Sequence, residues 1–261
     1  MEWTSEAEAE IRKVPFFVRK KVKARVERDA AEEGKKRVTI DEVIATRNRF
    51  LKNMASEIKG YQVDTCFSRG ACPHRANDAG RLAERIETLL KQADILNFLK
   101  AAVGEGLKFH HELRVAIAEC PNACAQPQVK DIGIIGACVP EITDVECSDC
   151  GVCVEVCKDD AVHLDDKGLQ PVIDPGACLL CGECAKVCPT GTITEGQKAW
   201  RVMLGGKLGR HPRLARELPA LFNDDQVVDI VNRCITFYKN NSPEGKRFAE
   251  LYTGPADIGM N

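Results

Sequence analysis

Cys147-Ser148-Asp149-Cys150-Gly151-Val152-Cys153-Val154-Glu155-Val156-Cys157 is followed by Cys178-Leu179-Leu180-Cys181-Gly182-Glu183-Cys184-Ala185-Lys186-Val187-Cys188-Pro189, and both stretches read C-x2-C-x2-C-x3-C. Upstream, Cys66 and Cys72 form C-x5-C, and after a long gap Cys120 and Cys124 form C-x3-C. Twelve of the fourteen cysteines therefore fall into three groups. Thiols this dense either bind metal or close disulfides, and few are left for any other role.

Disulfide scaffolds are typically short secreted chains that cannot build an adequate core. This chain has 261 residues, and Met1 to Glu10 carries four Glu and no hydrophobic run. The reading is a soluble cytoplasmic protein in a reducing environment, with no membrane segment: the apolar stretch around Ile132 to Pro140 is broken by glycines and too short to cross a bilayer. Zinc is the stronger rival, because C-x2-C pairs suit a tetrahedral ion. Two consecutive four-cysteine runs, each with its fourth thiol three residues on, match instead the bacterial two-cluster ferredoxin pattern, in which that fourth cysteine ligates the other cluster. One [4Fe–4S] cluster then takes Cys147, Cys150, Cys153 and Cys188, and the other takes Cys178, Cys181, Cys184 and Cys157. Ala161 to Leu164 and Thr192 to Thr194 suit short strands framing the clusters. Lys158 follows Cys157 where the second run has Pro189, and the sequence does not decide whether that lysine tunes a potential or faces water.

Taken singly, C-x3-C is a weak signal, and two unrelated cysteine pairs are one reading of it. Its surroundings are more specific. Phe109-His110-His111-Glu112-Leu113-Arg114-Val115-Ala116-Ile117-Ala118-Glu119-Cys120-Pro121-Asn122-Ala123-Cys124-Ala125-Gln126-Pro127-Gln128, with Asp131-Ile132-Gly133-Ile134-Ile135-Gly136 just after it, resembles the cluster-binding region of sulfite and nitrite reductases. The insert behind that strand and the return through Gly205-Gly206-Lys207-Leu208-Gly209-Arg210-His211-Pro212-Arg213 look like the dissimilatory branch. The resemblance covers roughly residues 60 to 252. It implies a third [4Fe–4S] cluster on Cys66, Cys72, Cys120 and Cys124, and sirohaem, with Cys124 bridging to its iron. A carboxylate-rich macrocycle calls for Arg and Lys. Arg69, Arg75, Arg114, Lys207, Arg210 and Arg213 lie in or beside the family-like segments: Arg69, Arg114 and Arg213 are candidate cofactor contacts, and Arg69, Arg75, Lys207 and Arg210 candidate catalytic cations. Ordinary solvated charge is the bland alternative for each. His74, His110 and His111 are candidate proton donors by their titration range. The family's enzymes clasp sirohaem between two related halves, and this chain has length for one, so a second subunit, an open haem face or no haem all remain possible.

Residues 1–58 read as a separate helical unit. Ser5-x-x-Glu8 and Thr39-x-x-Glu42 have the form of capping boxes, Pro15 suits a helix start and Gly34 a stop. Val14, Val18, Val22 and Val26 form a helical stripe, which Val43, Ile44, Phe50 and Leu51 continue in the next helix. Trp3, Val14-Pro15-Phe16-Phe17-Val18-Arg19 and Thr39-Ile40 resemble the small C-terminal domain of the light-independent protochlorophyllide reductase catalytic subunit. From Arg12 to Arg37 there are eleven basic and four acidic residues. Without aromatic interleaving, that charge suits a solvated face or a dock for an acidic redox partner better than nucleic acid.

Elsewhere, Asp78 is placed to cap a helix through Leu82, Ile86, Leu89 and Leu90, with another from Asp94 to Val103. Leu113–Ala118 and Ile132–Gly136 read as strands, and Pro212–Phe222, Gln226–Tyr238 and Pro243–Tyr252 as helices. Cys138 and Cys234 stand outside every motif and read as buried bystanders. The expected architecture is α+β: a single sulfite/nitrite-reductase-like half (59–143 and 196–261) with an inserted ferredoxin-like domain (144–195) and the N-terminal helical unit. The expected function is reduction of sulfite or nitrite at a sirohaem coupled to the third cluster. A redox partner protein would feed the ferredoxin clusters, and a homo-oligomer would complete the pocket. A haem-free electron carrier, or a reductase of another substrate such as a tetrapyrrole, is the alternative.

Overall fold

The computed structural model describes residues 1–67, 70–165 and 170–260. It separates into two units, Met1–Ile58 and the remainder from Lys59. In the first, β1 (Glu2–Trp3) pairs in parallel with β2 (Arg37–Val38), and the helices are α1 (Ser5–Arg12), α2 (Phe16–Glu32) and α3 (Ile40–Glu57). Ala7, Ile11, Val26, Ala30, Val38 and Val43 form its core, with Trp3, Val14 and Val22 packed against it. Ile44 and Phe50 of the expected stripe are exposed, and the side chain of Leu51 lies outside the described residues. The helix ends follow local chemistry. Thr39 and Glu42 make a reciprocal capping box, and Lys35 adds an ion pair at 2.7 Å. These hydrogen bonds hold the Glu42 carboxyl at about 2. At α1 the cap is Thr4 rather than Ser5, because Thr4 is the extended residue and its hydroxyl accepts the Ala7 N–H.

The second unit runs β3 (Tyr61–Thr65), α4 (Gly80–Gln92), α5 (Ile95–Val103), β4 (Leu113–Ala118), β5 (Ile132–Ile142), α6 (Val152–Val156), β6 (Val162–Leu164), β7 (Pro171–Ile173), α7 (Glu183–Val187), β8 (Ile193–Leu204), β9 (Arg216–Phe222), α8 (Asp224–Asn241) and α9 (Phe248–Leu251). Five strands form one sheet in the order β3-β4-β5-β8-β9. β3, β4 and β5 are parallel, while β8 and β9 run antiparallel. The near-continuous apolar runs of β4 and β5 suit strands covered on both faces. α4 and α8 pack beside each other against the sheet, and Trp200 of β8 donates its indole N–H to Asp224 of α8 at 2.7 Å.

The β4–β5 crossover lies tight against β5. A Cβ on Gly133 would meet the Pro127 carbonyl oxygen at 2.3 Å, and one on Gly136 the Glu119 carbonyl oxygen at 2.4 Å. Backbone cannot retreat as a flexible side chain can, so Gly136→Ala is expected to destabilise the protein by about 1–3 kcal/mol through overpacking. Denaturant unfolding checks this, and a stability within experimental error of the parent would contradict the close approach.

Several elements differ from the sequence expectation. Residues 212–222 contain β9 rather than a helix: Pro219 is unfit for a helix interior yet tolerable on an edge strand, where no partner needs its N–H. The segment Pro243–Tyr252 is split into a 3-10 turn (Pro243–Gly245) and α9, with Glu244 at φ 52° and Gly245 at φ 69°. Asp78 does not cap α4; Ala79 holds that position, and the Asp78 carboxylate instead accepts the Gly80 N–H at 2.8 Å. β5 extends past Gly136 to Ile142, and β8 begins at Ile193. These long antiparallel arms carry the four-cysteine runs between them.

No helix among the described residues is long and apolar enough to cross a membrane.

Candidate iron–sulfur centres

The inserted module is an internal repeat with a 31-residue period, from Cys147 to Cys178 and from Cys157 to Cys188. Its backbone repeats with it. Asp149 and Leu180, Gly151 and Gly182, and Asp160 and Gly191 all have positive φ, between 51° and 78°. These left-handed residues bend each run into a loop before a single turn of helix, α6 or α7. The ends of the runs are also alike: Ala161 N–H reaches the Cys157 sulfur at 3.2 Å, and Ile193 N–H reaches Cys188 at 3.4 Å. Such donors stabilise a thiolate and tune whatever it ligates. Burial alone would raise the Cys188 thiol, but the Ile193, Thr190 and Gly191 hydrogen bonds bring it to about 7.

Cys157 lies within electrostatic reach of the second run. Burial pushes Cys184 up to about 12, and Cys181, Cys178 and Cys157 press in the same direction. Cys178 likewise feels Cys181 and Cys157, and Cys153 feels Cys147 and Cys150. Cys157 therefore sits with the second run. Cys153 and Cys184 share the module core with Val162 and Ile193, and Cys157 and Cys188 pack against it.

The third group assembles at the carboxyl ends of β3 and β4. Cys66 follows β3 by one residue and Cys120 follows β4 by two. Burial raises both thiols. Cys66 also lies within electrostatic reach of Cys72 and Cys124, and Cys120 within reach of Cys66, Cys72 and Cys124. Four thiols separated by up to 58 positions (66 to 124) thus come within electrostatic reach of Cys66 and Cys120 at one sheet edge. Cys120 is buried, Cys66 and Cys72 half-buried, and Cys124 exposed. Ala123, at φ 53°, turns the chain between Cys120 and Cys124.

Glu119, which sequence reasoning passes over, holds this edge together. It is 1% exposed. Its carboxylate accepts the N–H groups of Gly70 at 3.2 Å and Ala79 at 3.1 Å, its carbonyl accepts those of Ala76 and Asn77, and its own N–H points to the Cys66 sulfur at 3.4 Å. One residue thereby pins the whole Gly70–Ala79 loop beside Cys120. The signal in the sequence is a carboxylate in an otherwise apolar run, immediately before Cys120.

All fourteen cysteines are free of disulfides. A mononuclear tetrahedral site, with metal–sulfur bonds of about 2.3 Å, needs its donors crowded together. Among the described residues no three His, Cys, Asp or Glu side chains form such a group. Ligand thiols must lose their protons, and burial raises those of Cys66, Cys120, Cys153, Cys178 and Cys184. Cluster assembly from iron and sulfide is therefore expected to be more complete at pH 8.5 than at pH 6.5, as read by iron content per chain. Equal loading at both would show that deprotonation does not limit assembly.

The basic candidates are dispersed. Arg75 is partly exposed beside Cys72, bonded to the Gly70 carbonyl and paired with Asp78 at 3.3 Å. Lys207 pairs with Glu250 at 3.2 Å, and Arg213 donates to the Gly205 and Ala249 carbonyls. Arg210 is exposed on the same loop, whose end, Ala215, packs with Ala118, Ile135 and Met203 where Cys66 and Ala123 also pack. Arg114 lies near the amino end of β4, away from Cys120; its N–H donates to buried Asp131 and its Nη2 to the Phe109 carbonyl at 3.5 Å. Arg69 lies outside the described residues. His110 and His111 precede Arg114 closely in sequence, and burial lowers both below the usual range. His74 faces Glu183 at 3.5 Å.

The sheet, the module borne on its two long strands and the converging thiols define an α+β iron–sulfur protein. The chain belongs to the nitrite and sulphite reductase 4Fe-4S domain family, whose model matches residues 59–253. A second model, the proto-chlorophyllide reductase 57 kD subunit, matches residues 3–47. The coenzyme F420-dependent sulfite reductase of Methanocaldococcus jannaschii is 32% identical over 143 residues, 54% of this chain and 23% of that protein. An anaerobic sulfite reductase subunit from Salmonella typhimurium is 28% identical over 218 residues, 77% of this chain and 60% of that protein. The chain thus spans less than two thirds of the length of either relative. A solved dissimilatory sulfite reductase I aligns over 76% of this chain and 54% of its own, with TM-score 0.47 and 13% identity.

Proposed function

We propose that this chain is the cluster-bearing part of a sulfite reductase, with nitrite as the second candidate substrate, and that it carries three [4Fe–4S] clusters and sirohaem. The observation that supports this most is the approach of Cys66, Cys72, Cys120 and Cys124 to one another at one edge of the sheet, with Cys124 exposed and so open to a further group. The clusters, when bound, supply electrons singly, and sirohaem supplies the iron at which an anion is reduced.

The chain's own residues would divide the work as follows. Cys147, Cys150, Cys153 and Cys188 hold one cluster of the 144–195 module, and Cys178, Cys181, Cys184 and Cys157 the other. Glu119 keeps the Cys72 loop seated so that four thiols face one point. Arg75, Lys207, Arg210 and Arg213 offer cationic contacts for macrocycle carboxylates or the substrate anion. Arg114 serves the far end of β4 and is the weakest of the candidates. The module carries eleven acidic and three basic residues between 144 and 195, so its electron donor would present a basic face.

The visible spectrum of anaerobically purified protein tests this reading. Sirohaem bands above the broad iron–sulfur absorption, together with turnover of sulfite or nitrite by reduced methyl viologen, are expected. Fully iron-loaded protein without those bands would overturn the haem assignment and leave an electron carrier.

A further inference from the structure

The two cluster sites of the module are not equivalent with respect to the sheet. Leu180, in the second run, is held at φ 62°. A left-handed conformation costs a bulky non-glycine residue about 1–2 kcal/mol, whereas Asp149, its counterpart in the first run, belongs to a type that tolerates it. The strain at Leu180 has a partner: its carbonyl accepts the N–H of Cys138 at 2.8 Å, in the middle of β5. Two residues on, Gly182 is so close that a Cβ there would lie 2.9 Å from both Cβ and Sγ of Cys138. Gly151, its counterpart at φ 70°, has nothing within 4 Å.

Cys138 is fully buried and packs with Ala76 and Cys120. It therefore touches the module on one side and shares a buried cluster with Ala76 and Cys120 on the other. Cys181 and Cys120 also line one cleft of roughly 260 Å3 with His74 and Glu183. Lys186 of α7 locks the contact by donating to the carbonyls of Pro73 and Arg75, at 3.2 and 2.9 Å.

We propose that the Leu180–Gly182 loop and Cys138 form the electron-exit junction of the module, so that the Cys157/Cys178/Cys181/Cys184 site alone communicates directly with the Cys66/Cys72/Cys120/Cys124 site. The path from Cys181 runs through one peptide to Leu180, across one hydrogen bond to Cys138, and through the buried Ala76–Cys120–Cys138 cluster to Cys120. A single electron passes with no proton: the exit site is oxidised by one electron as the receiving site is reduced by one. The Cys147/Cys150/Cys153/Cys188 site is then the entry. This inference rests on the three-cluster reading above and is independent of sirohaem and substrate.

The test compares two matched substitutions in cluster-loaded protein. Gly182→Ala and Gly151→Ala impose the same left-handed strain, but only the first drives a methyl group into Cys138. At unchanged iron content, Gly182→Ala is expected to weaken the magnetic coupling between reduced clusters seen by electron paramagnetic resonance, and to slow reduction of the third cluster several-fold. Gly151→Ala is expected to leave both intact. Equal effects from the pair, or none from Gly182→Ala, would overturn the proposal. Should Gly182→Ala lose iron, Cys138→Ala decides instead, with Cys234→Ala, a buried thiol in α8, as its control. Slower transfer at unchanged cluster potentials in the first alone supports the junction, and parent-like transfer refutes it. Failure of the three-cluster reading would show separately, as an iron content near eight per chain rather than about twelve.

Discussion

Cys120→Ser is expected to strip about four of roughly twelve irons from each chain, leaving the spectrum of the inserted module in place. Cys120 is the most buried of its group and the one placed directly by a central strand. A serine oxygen is a harder, shorter donor and a poor substitute for a thiolate in a cluster. The module's eight thiols have their own core, built on Val162 and Ile193, so their loading does not depend on Cys120. Iron and acid-labile sulfide assays on anaerobic material read the outcome. A full complement in Cys120→Ser would mean that the four upstream cysteines do not hold a cluster together. The reading of the chain would then reduce to a ferredoxin module on an α+β support.

Glu119→Ala is expected to lower stability by on the order of 2–4 kcal/mol, because hydrogen bonds to a charged group contribute about 1.5–3 kcal/mol each, the buried Ala79 N–H would lose its acceptor outright, and the Gly70 N–H, in a partly buried bond, would be left to water. Those donors belong to Gly70 and Ala79, at the two ends of the loop that contains Cys72. The third cluster should therefore be lost together with the stability, although no ligand has been touched. Glu119→Gln keeps a carbonyl acceptor and should fall between the variant and the parent. Urea unfolding with parallel iron analysis separates the cases. A Glu119→Ala protein as stable and as iron-rich as the parent would refute the role of this carboxylate.

What is legible in the sequence depends on how local the signal is. The runs 147–157 and 178–188 are short-range patterns in which ligand spacing and turn geometry are written in the same dozen residues. The Thr39–Glu42 capping box and the Gly34 stop are of the same kind. β9 reads as a helix because Leu214, Leu218 and Phe222 recur at helical spacing, while the residues that make it a strand are its partners on β8. β3 carries only a short signal: Tyr61, Val63 and Thr65 alternate with Gln62 and Asp64 over five residues that are all half-buried, and pairing with β4 fixes them as a strand.

Cys138 and Glu119 show the same division at the site. As letters, one is a spare thiol and the other a stray acid. Their importance comes from residues far off in the chain, Leu180 and Gly182 for Cys138, Gly70 and Ala79 for Glu119.

The amino-acid order on its own determined that this is an iron–sulfur protein, which thiols form the repeated runs, and that a helical unit precedes them, since each follows from chemistry within one or two turns of chain. Only the folded structure decided which half of the module abuts the sheet and which carboxylate holds its edge closed. Those facts depend on strand order and on contacts between segments up to about a hundred positions apart, and pairing across such distances is set by burial and register rather than by any local pattern.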